Sequence, residues 1–324
     1  MTPLFRPSLA LLLFSGWRAF AQPHLGSVED SAAVCQAGPL ANTICRRLQV
    51  SCDGLKPIQA EIRVTEPAAG ASPRGTVVLG SGGGGGGFYA PDPEIQGLVR
   101  DLAAMGFRVV DRRWMGGWTT NEGGLKNEAC RYATLLTWVH DHLHKGGKFV
   151  ATGNSGGSAE IGYALTSWGR GEILDLAIPT SGPPTARLDY ACVKQASAEW
   201  AALCSSIVPR GVMECASTCI LGPSNGVCTQ VTAQPTPEQL LADSVVHANA
   251  VLHYPKTRVH FLFGAHDCGE PVPVGLTWAT RVTSEKAIEF VPKTPHAVPS
   301  TPQGREAIRK AIDLGTAGTA GPVK

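Results

Sequence analysis

The chain has 324 residues, 43% of them hydrophobic, and its 28 Lys and Arg stand against 26 Asp and Glu. Such a length and composition support a full core in one large domain and exclude a disordered chain. With a formal charge of +2 and no basic run, the protein has no electrostatic footprint for nucleic acid or an anionic membrane.

Residues 1–21 carry Arg6, a short apolar run from Leu9 to Phe14 and the small-x-small end Ala19-Phe20-Ala21. This pattern predicts a secretory signal peptide cleaved after Ala21, with residues 22–324 as the mature domain and a secreted or periplasmic location. A membrane span needs ~20 apolar residues, and this run is far shorter. Export places the 10 cysteines in an oxidising compartment, where an even count predicts disulfides. Cys215 and Cys219 are four apart, but no second pair with a nearby histidine completes a zinc pattern.

Cys35, Cys45 and Cys52 precede a strand at Gln59 to Thr65, and a Pro, Ala and Gly linker leads to the core strand Thr76 to Gly80. Asp92 before Pro93 is an N-cap with proline at the first helical position, and Ile95, Leu98, Leu102 and Met105 follow at helical spacing before Gly106. A strand at Phe107 to Val110 comes next, then an amphipathic stripe through Leu125, Ala129, Tyr132, Leu136, Val139 and Leu143. Lys148 to Thr152 is the next strand, with the stripe Ile161, Leu165, Trp168 after it. Strands at Ile173 to Ile178, Val259 to Phe263 and Ala287 to Val291 and a helix at Thr301 to Ile312 complete the pattern. Alternating strands and helices predict an α/β protein, its mostly parallel sheet flanked by helices on both faces. About residues 182–250 the rhythm breaks, and five cysteines fall there, which predicts a disulfide-rich cap insertion.

Gly153-Asn154-Ser155-Gly156-Gly157 lies between a strand and a helix and matches G-x-S-x-G. A sharp strand-to-helix turn lifts the serine oxygen above the sheet, and flanking glycines remove the side chains that would collide there. With this motif the chain resembles the α/β-hydrolase superfamily over roughly Ile58 to Leu314, in the order nucleophile, acid, histidine. The resemblance implies Ser155 as nucleophile, Asp267 as acid after the strand Val259 to Gly264, and His296 as base after the last strand. Serine is a poor nucleophile at neutral pH, so His296 takes its proton while Asp267 orients the ring. Asp189 is an alternative acid from an earlier strand end, and Glu270 a weaker one. His266 sits beside Asp267 and reads as a loop histidine. His140 and His144, four apart on the long helix, read as a solvent-side pair rather than a metal site.

The run Ser81 to Gly87 lacks the Gly-Lys-Ser or Gly-Lys-Thr of a phosphate loop, and a glycine run matches a dinucleotide fingerprint trivially. It is similar to the Gly-rich oxyanion loop of lipases and esterases, without that motif's leading histidine. The resemblance implies that N–H groups near Gly82 or Gly83, with that of Gly156, hold the developing oxyanion. Phe88, Tyr89, Trp114 and Trp118 lie just after strand ends, where an apolar or aromatic substrate pocket is expected, Tyr89, Trp114 and Trp118 foremost. Gly-Asn-Ser-Gly-Gly also resembles the nucleophile region of chymotrypsin-like proteases, but those run histidine, aspartate, serine on an all-β frame. Neither Ser155 nor His296 has a neighbouring cysteine, which argues against the tannase and feruloyl-esterase type.

The expectation is an exported serine hydrolase of the α/β-hydrolase fold that cleaves a carboxylic ester, small or polymeric, through an acyl-enzyme, with no cofactor, no metal, no nucleic-acid partner and no membrane span. The alternatives are a catalytically silent binding protein, or a serine peptidase or acyltransferase on the same fold. Five cysteines lie in the insertion (Cys192, Cys204, Cys215, Cys219, Cys228) and five outside it (Cys35, Cys45, Cys52, Cys130, Cys268). If all ten pair, at least one bond ties the insertion to the body. Cys268, directly after Asp267, is the favoured outside partner, with Cys130 as the alternative.

Overall fold

A computed structural model describes residues 23–31, 40, 42–88, 92–192, 226–230, 232–267 and 271–316. Nine strands form one sheet: β1 (Ser27–Asp30), β2 (Thr43–Ser51), β3 (Ile58–Thr65), β4 (Gly75–Gly80), β5 (Phe107–Trp114), β6 (Lys148–Asn154), β7 (Leu176–Thr180), β8 (Arg258–Gly264) and β9 (Lys286–Val291). Their order across the sheet is β1-β2-β3-β5-β4-β6-β7-β8-β9. β1, β2, β3 and β5 pair antiparallel in succession, and every pair from β5 to β9 is parallel.

The helices are α1 (Pro93–Ala104), α2 (Leu125–Glu128), α3 (Cys130–His142), α4 (Gly156–Thr166), α5 (Leu188–Ala191), α6 (Pro237–Ala242), α7 (Pro271–Arg281) and α8 (Pro302–Thr316). Successive strand residues point to opposite faces, so the core divides in two. Val77, Leu79, Val109 and Leu262 pack against Leu98 and Leu102 of α1 and Ile308 and Ile312 of α8. Val78, Val110, Ala151 and Phe261 pack on the other side with Leu136 of α3, Ile161 of α4 and Trp278 of α7. Both faces of the parallel part are therefore covered, as the alternating sequence pattern predicts.

Local chemistry fixes the ends of the elements. Asp92 caps α1 by accepting the N–H groups of Glu94 at 2.8 Å and Ile95 at 3.4 Å. Gly106 follows at φ 94°, a conformation that favours glycine. The expected long helix is carried by two segments, α2 and α3, that meet at Ala129. β7 starts three residues later than expected. Asp175 turns its carboxylate to accept the Phe149 N–H at 2.8 Å, so regular pairing begins at Leu176.

Two disulfides join pairs of described residues. Cys52–Cys130 joins the segment after β2 to the start of α3 across 78 residues, and Cys192–Cys228 closes 36 residues within the cap segment. Cys130 is thereby committed to Cys52, which removes it as the tether between the insertion and the body. Cys45 is also disulfide-bonded. Cys35, Cys204, Cys215, Cys219 and Cys268 lie outside the described residues. The described ends of the insertion join each other and the body: Val245 and Val246 donate to the carbonyls of Thr185 and Ala186 at 3.0 and 3.2 Å, and Tyr163 of α4 donates to the Asp243 carbonyl at 2.7 Å.

Candidate active site

Ser155 sits between β6 and α4 with φ 53° and ψ −109°, a backbone that a side chain rarely tolerates. Its N–H donates to the Thr180 carbonyl of β7 at 2.9 Å, and its carbonyl accepts the Ala159 N–H at 3.1 Å as α4 begins. The flanking glycines are sterically required. A Cβ at Gly157 would lie 2.6 Å from the Gly80 carbonyl oxygen, one at Gly156 would lie 1.9 Å from that of Gly83, and one at Gly153 would collide with Gly157 itself. The Gly-rich loop after β4 therefore lies directly over the first turn of α4. The N–H groups of that turn have no partner within the helix, and its dipole favours negative charge there.

Asp267 and His296 reach each other through a second close approach. Asp267 lies three residues past β8, where its N–H donates to the Gly264 carbonyl at 3.1 Å, and the preceding His266 N–H donates to Thr294 at 2.9 Å. A Cβ at Gly264 would lie 2.3 Å from the Pro295 oxygen, so glycine is what lets the segment after β9 come in against the end of β8. His296 Nδ1 then stands 2.9 Å from Asp267 Oδ2, with Asp267 1% exposed and the His296 side chain 42% exposed. The carboxylate can only accept, so Nδ1 carries the proton and Nε2 is left as the basic nitrogen.

Ser155 and His296 line one cavity of about 300 Å³ together with Gly83, Gly84 and Gly156. Its apolar wall includes Trp118, Leu125, Ala159, Pro184, Val227 and Pro271. Gly82 borders a second cavity of about 430 Å³ with Phe88, Ile95, Asn154 and Ala297, among them the chain neighbours of Ser155 and His296. Of the aromatics expected at the pocket, Trp118 lines it. Trp114 differs: it is fully buried and its indole N–H donates to Glu160 Oε1 at 2.6 Å, which places it under the Gly-rich loop and away from the cavity. Tyr89 and the alternative acid Glu270 lie outside the described residues.

The rival residues are engaged elsewhere. Asp189 accepts from Arg187 Nε at 2.7 Å and pairs with the same guanidinium a second time. His140 and His144 stack on each other beside Phe149, and no group of three or more His, Cys, Asp or Glu among the described residues is placed to hold a metal. Ser167 and His247, 3.0 Å apart, border a larger cavity of about 580 Å³ at the far end of α4. There His247 Nδ1 accepts the Asn249 N–H at 3.2 Å, so its Nε2 must donate to Ser167. Burial, with Lys126 adding to it, pushes this imidazole down to about 4. A histidine that donates to the serine cannot take its proton, so this pair is not a second nucleophilic site.

No family model and no curated protein matches the chain. Among solved structures it is similar to a bacterial heroin esterase, with TM-score 0.57 and 16% identity, covering 85% of each chain. It is similar to Est1E from Butyrivibrio proteoclasticus (0.51, 13%, 83% of this chain and 96% of that one). Brefeldin A esterase, a bacterial homologue of human hormone sensitive lipase, gives 0.52 and 16% over 88% of this chain and 80% of that one. The chain has the α/β-hydrolase fold. Asn154, Gly264 and Val291 close the three strands that precede Ser155, Asp267 and His296.

Sequence reasoning on the α/β-hydrolase pattern did not single out Gly84, Pro184, Val227 or Pro271 at the cavity. Val227 precedes Cys228, and the bond from Cys228 to Cys192 anchors this stretch. Leu125 is placed by Asp243, whose carboxylate accepts the Leu125 and Lys126 N–H groups at 2.8 and 2.9 Å and is pushed up to about 6 by burial.

Proposed function

We propose that this protein is an exported serine hydrolase that cleaves a carboxylic ester through an acyl-enzyme formed on Ser155. The observation that carries the reading is the 2.9 Å contact of His296 Nδ1 with Asp267, with His296 lining the same cavity as Ser155, Gly83, Gly84 and Gly156. Ser155 Oγ attacks the ester carbonyl as its proton passes to His296 Nε2. The carbonyl π electrons move onto oxygen, where N–H donors of the Gly-rich loop and of Gly156 stabilise the oxyanion. Collapse of that intermediate breaks the ester C–O bond, and His296 returns the proton to the leaving alkoxide. Water repeats the cycle on the acyl-serine, releasing the carboxylic acid and restoring Ser155. Asp267 holds the ring and stabilises the imidazolium without taking its proton.

The apolar wall at Trp118, Leu125 and Ala159 suits an apolar or aromatic group on one side of the ester, and the space beside Phe88 and Ile95 suits the other. Export is supported by the leader pattern of residues 1–21 and by the disulfides Cys52–Cys130 and Cys192–Cys228. Among the described residues no helix is long and apolar enough to cross a membrane.

A screen of the mature protein against p-nitrophenyl esters of graded chain length tests the activity. Turnover of at least one ester is expected, and no turnover of any, with no labelling by a fluorophosphonate, would identify a silent binding protein instead. Protonated His296 cannot act as base, so kcat/KM should fall on acidification as the ring takes up a proton. A kcat/KM that does not fall as far down in pH as the protein stays folded contradicts the role of His296.

With Cys130 bonded to Cys52 and Cys192 to Cys228, three cysteines remain in the insertion (Cys204, Cys215, Cys219) and three outside it (Cys35, Cys45, Cys268). The odd count persists, so full pairing still requires a tether, and Cys268 remains the proposed outside partner. Peptide mapping of the unreduced protein should find Cys268 bonded to an insertion cysteine. Cys268 as a free thiol, or bonded to Cys35 or Cys45, rules it out.

A further inference from the structure

The buried charges of β5 and α4 have no role in the chemistry above. Arg112 and Glu160 are both fully buried and form an ion pair through Arg112 Nη2 and Glu160 Oε2. A guanidinium inside a parallel sheet is costly unless it is paired and hydrogen-bonded, and both of its terminal nitrogens meet partners, one on Glu160 and one on Gly85. Arg112 Nη1 donates to the Gly85 carbonyl at 3.3 Å. The other carboxylate oxygen of Glu160 takes the Trp114 indole N–H at 2.6 Å, and the Trp114 backbone N–H donates to the same Gly85 carbonyl at 2.8 Å. One residue earlier, the Gly84 carbonyl accepts the Trp118 N–H at 3.0 Å, and Gly85 N–H closes a turn onto Gly82 at 3.1 Å. The loop is shaped to receive the guanidinium. A Cβ at Gly85 would lie 2.2 Å from Arg112 Nη1, and one at Gly80 would lie 2.8 Å from Nη2. Aromatic rings flank the pair: the guanidinium carbon lies 5.8 Å from the Trp114 ring and 5.7 Å from that of Tyr132, whose hydroxyl burial pushes up to about 12.

We infer that Arg112 and Glu160 are positioning residues of the oxyanion loop, coupling the Gly82–Gly85 turn to the same helix that carries the nucleophile. Glu160 lies on α4 one turn after Gly156, so the pair links the two sources of oxyanion donors through a single buried contact. The Gly84 carbonyl held by Trp118 belongs to the peptide whose Gly85 N–H donates to the Gly82 carbonyl, and the peptide of that carbonyl carries the Gly83 N–H, so the cluster of Arg112, Trp114 and Trp118 fixes the orientation of the Gly83 N–H through this turn. Donors aimed in advance at a developing oxyanion act on the transition state rather than on the bound ester. Loss of the pair therefore lowers kcat and leaves KM nearly unchanged. This inference rests on the serine-hydrolase reading for its kinetic part and on geometry alone for its structural part.

Removing one charge would strand the other in the core, so the test uses the double variant Arg112→Met, Glu160→Gln, which keeps the volume and leaves an amide oxygen for the Trp114 N–H. The expected result is a folded protein whose kcat is at least about 30-fold lower with KM within about 3-fold, since a displacement of ~1 Å at such a site can cost 10²-fold. Hydrogen exchange of the Gly82–Phe88 amides should be faster, with the other strands unchanged. Arg112→Lys, which keeps a cation beside Glu160 but lacks the planar fork, should recover part of kcat relative to the double variant. Should the double variant not fold, Arg112→Lys alone carries the test, with a smaller fall in kcat and faster loop exchange expected. A folded variant with kcat within about 3-fold of the parent and unchanged loop exchange overturns the inference. A parent protein that turns over no ester overturns the hydrolase reading, and loop exchange still decides whether the pair holds the loop.

Discussion

Ser155→Ala is expected to abolish fluorophosphonate labelling and to lower kcat by several orders of magnitude, with KM little changed and the fold intact. The size of the loss follows from the unit character of a nucleophile, base and acid: removing one member leaves only binding and oxyanion stabilisation, about 10³ to 10⁴ over water. The fold survives because Ser155 is only half-buried and its hydrogen bonds to Thr180, Ala159 and Ser158 run through its backbone. Its backbone, at φ 53°, is itself held against an intrinsic penalty of about 1 to 3 kcal/mol. Ser155→Gly should therefore be as inactive as Ser155→Ala yet unfold at a higher temperature, which differential scanning calorimetry reads directly. Labelling that persists in either variant would remove Ser155 as the nucleophile.

Asp267→Asn is expected to cost about 10⁴ in kcat, because an amide can present its NH₂ to Nδ1 and stabilise the wrong tautomer of His296. Asp189→Asn should change kcat by no more than about 3-fold, since Asp189 is held by Arg187 beside Tyr190 rather than by a histidine. Steady-state kinetics on one ester decides between them. The reverse order would place the acid on the strand before the cap.

The sheet, the two helical layers and the turn at Ser155 were legible because each rests on a local rule: an apolar run for a buried strand, a stripe for a helix, glycines where a strand turns sharply into a helix. Asp267 and His296 came from motif order, and their meeting at 2.9 Å depends on Gly264, whose missing side chain has meaning only once β8 and β9 are side by side. Trp114 was misplaced for the same reason. Its position after a strand end fits a pocket, but the direction of its ring is set by Glu160, 46 residues away. Arg112 carried a signal that went unused: it shares its strand face with Val110 and Trp114, and burial there demands a partner. Val227 at the cavity wall has no local signature at all, because the Cys192–Cys228 bond rather than any periodicity anchors its stretch.

The most direct check is mass spectrometry of the mature protein after reaction with a fluorophosphonate, with proteolysis to locate the adduct. A single added group on the peptide containing Gly153-Asn154-Ser155-Gly156-Gly157, at Ser155 and blocked by prior denaturation, is the expected outcome. An adduct on any other residue, or none on a protein that still hydrolyses esters, would contradict the nucleophile and with it the mechanism.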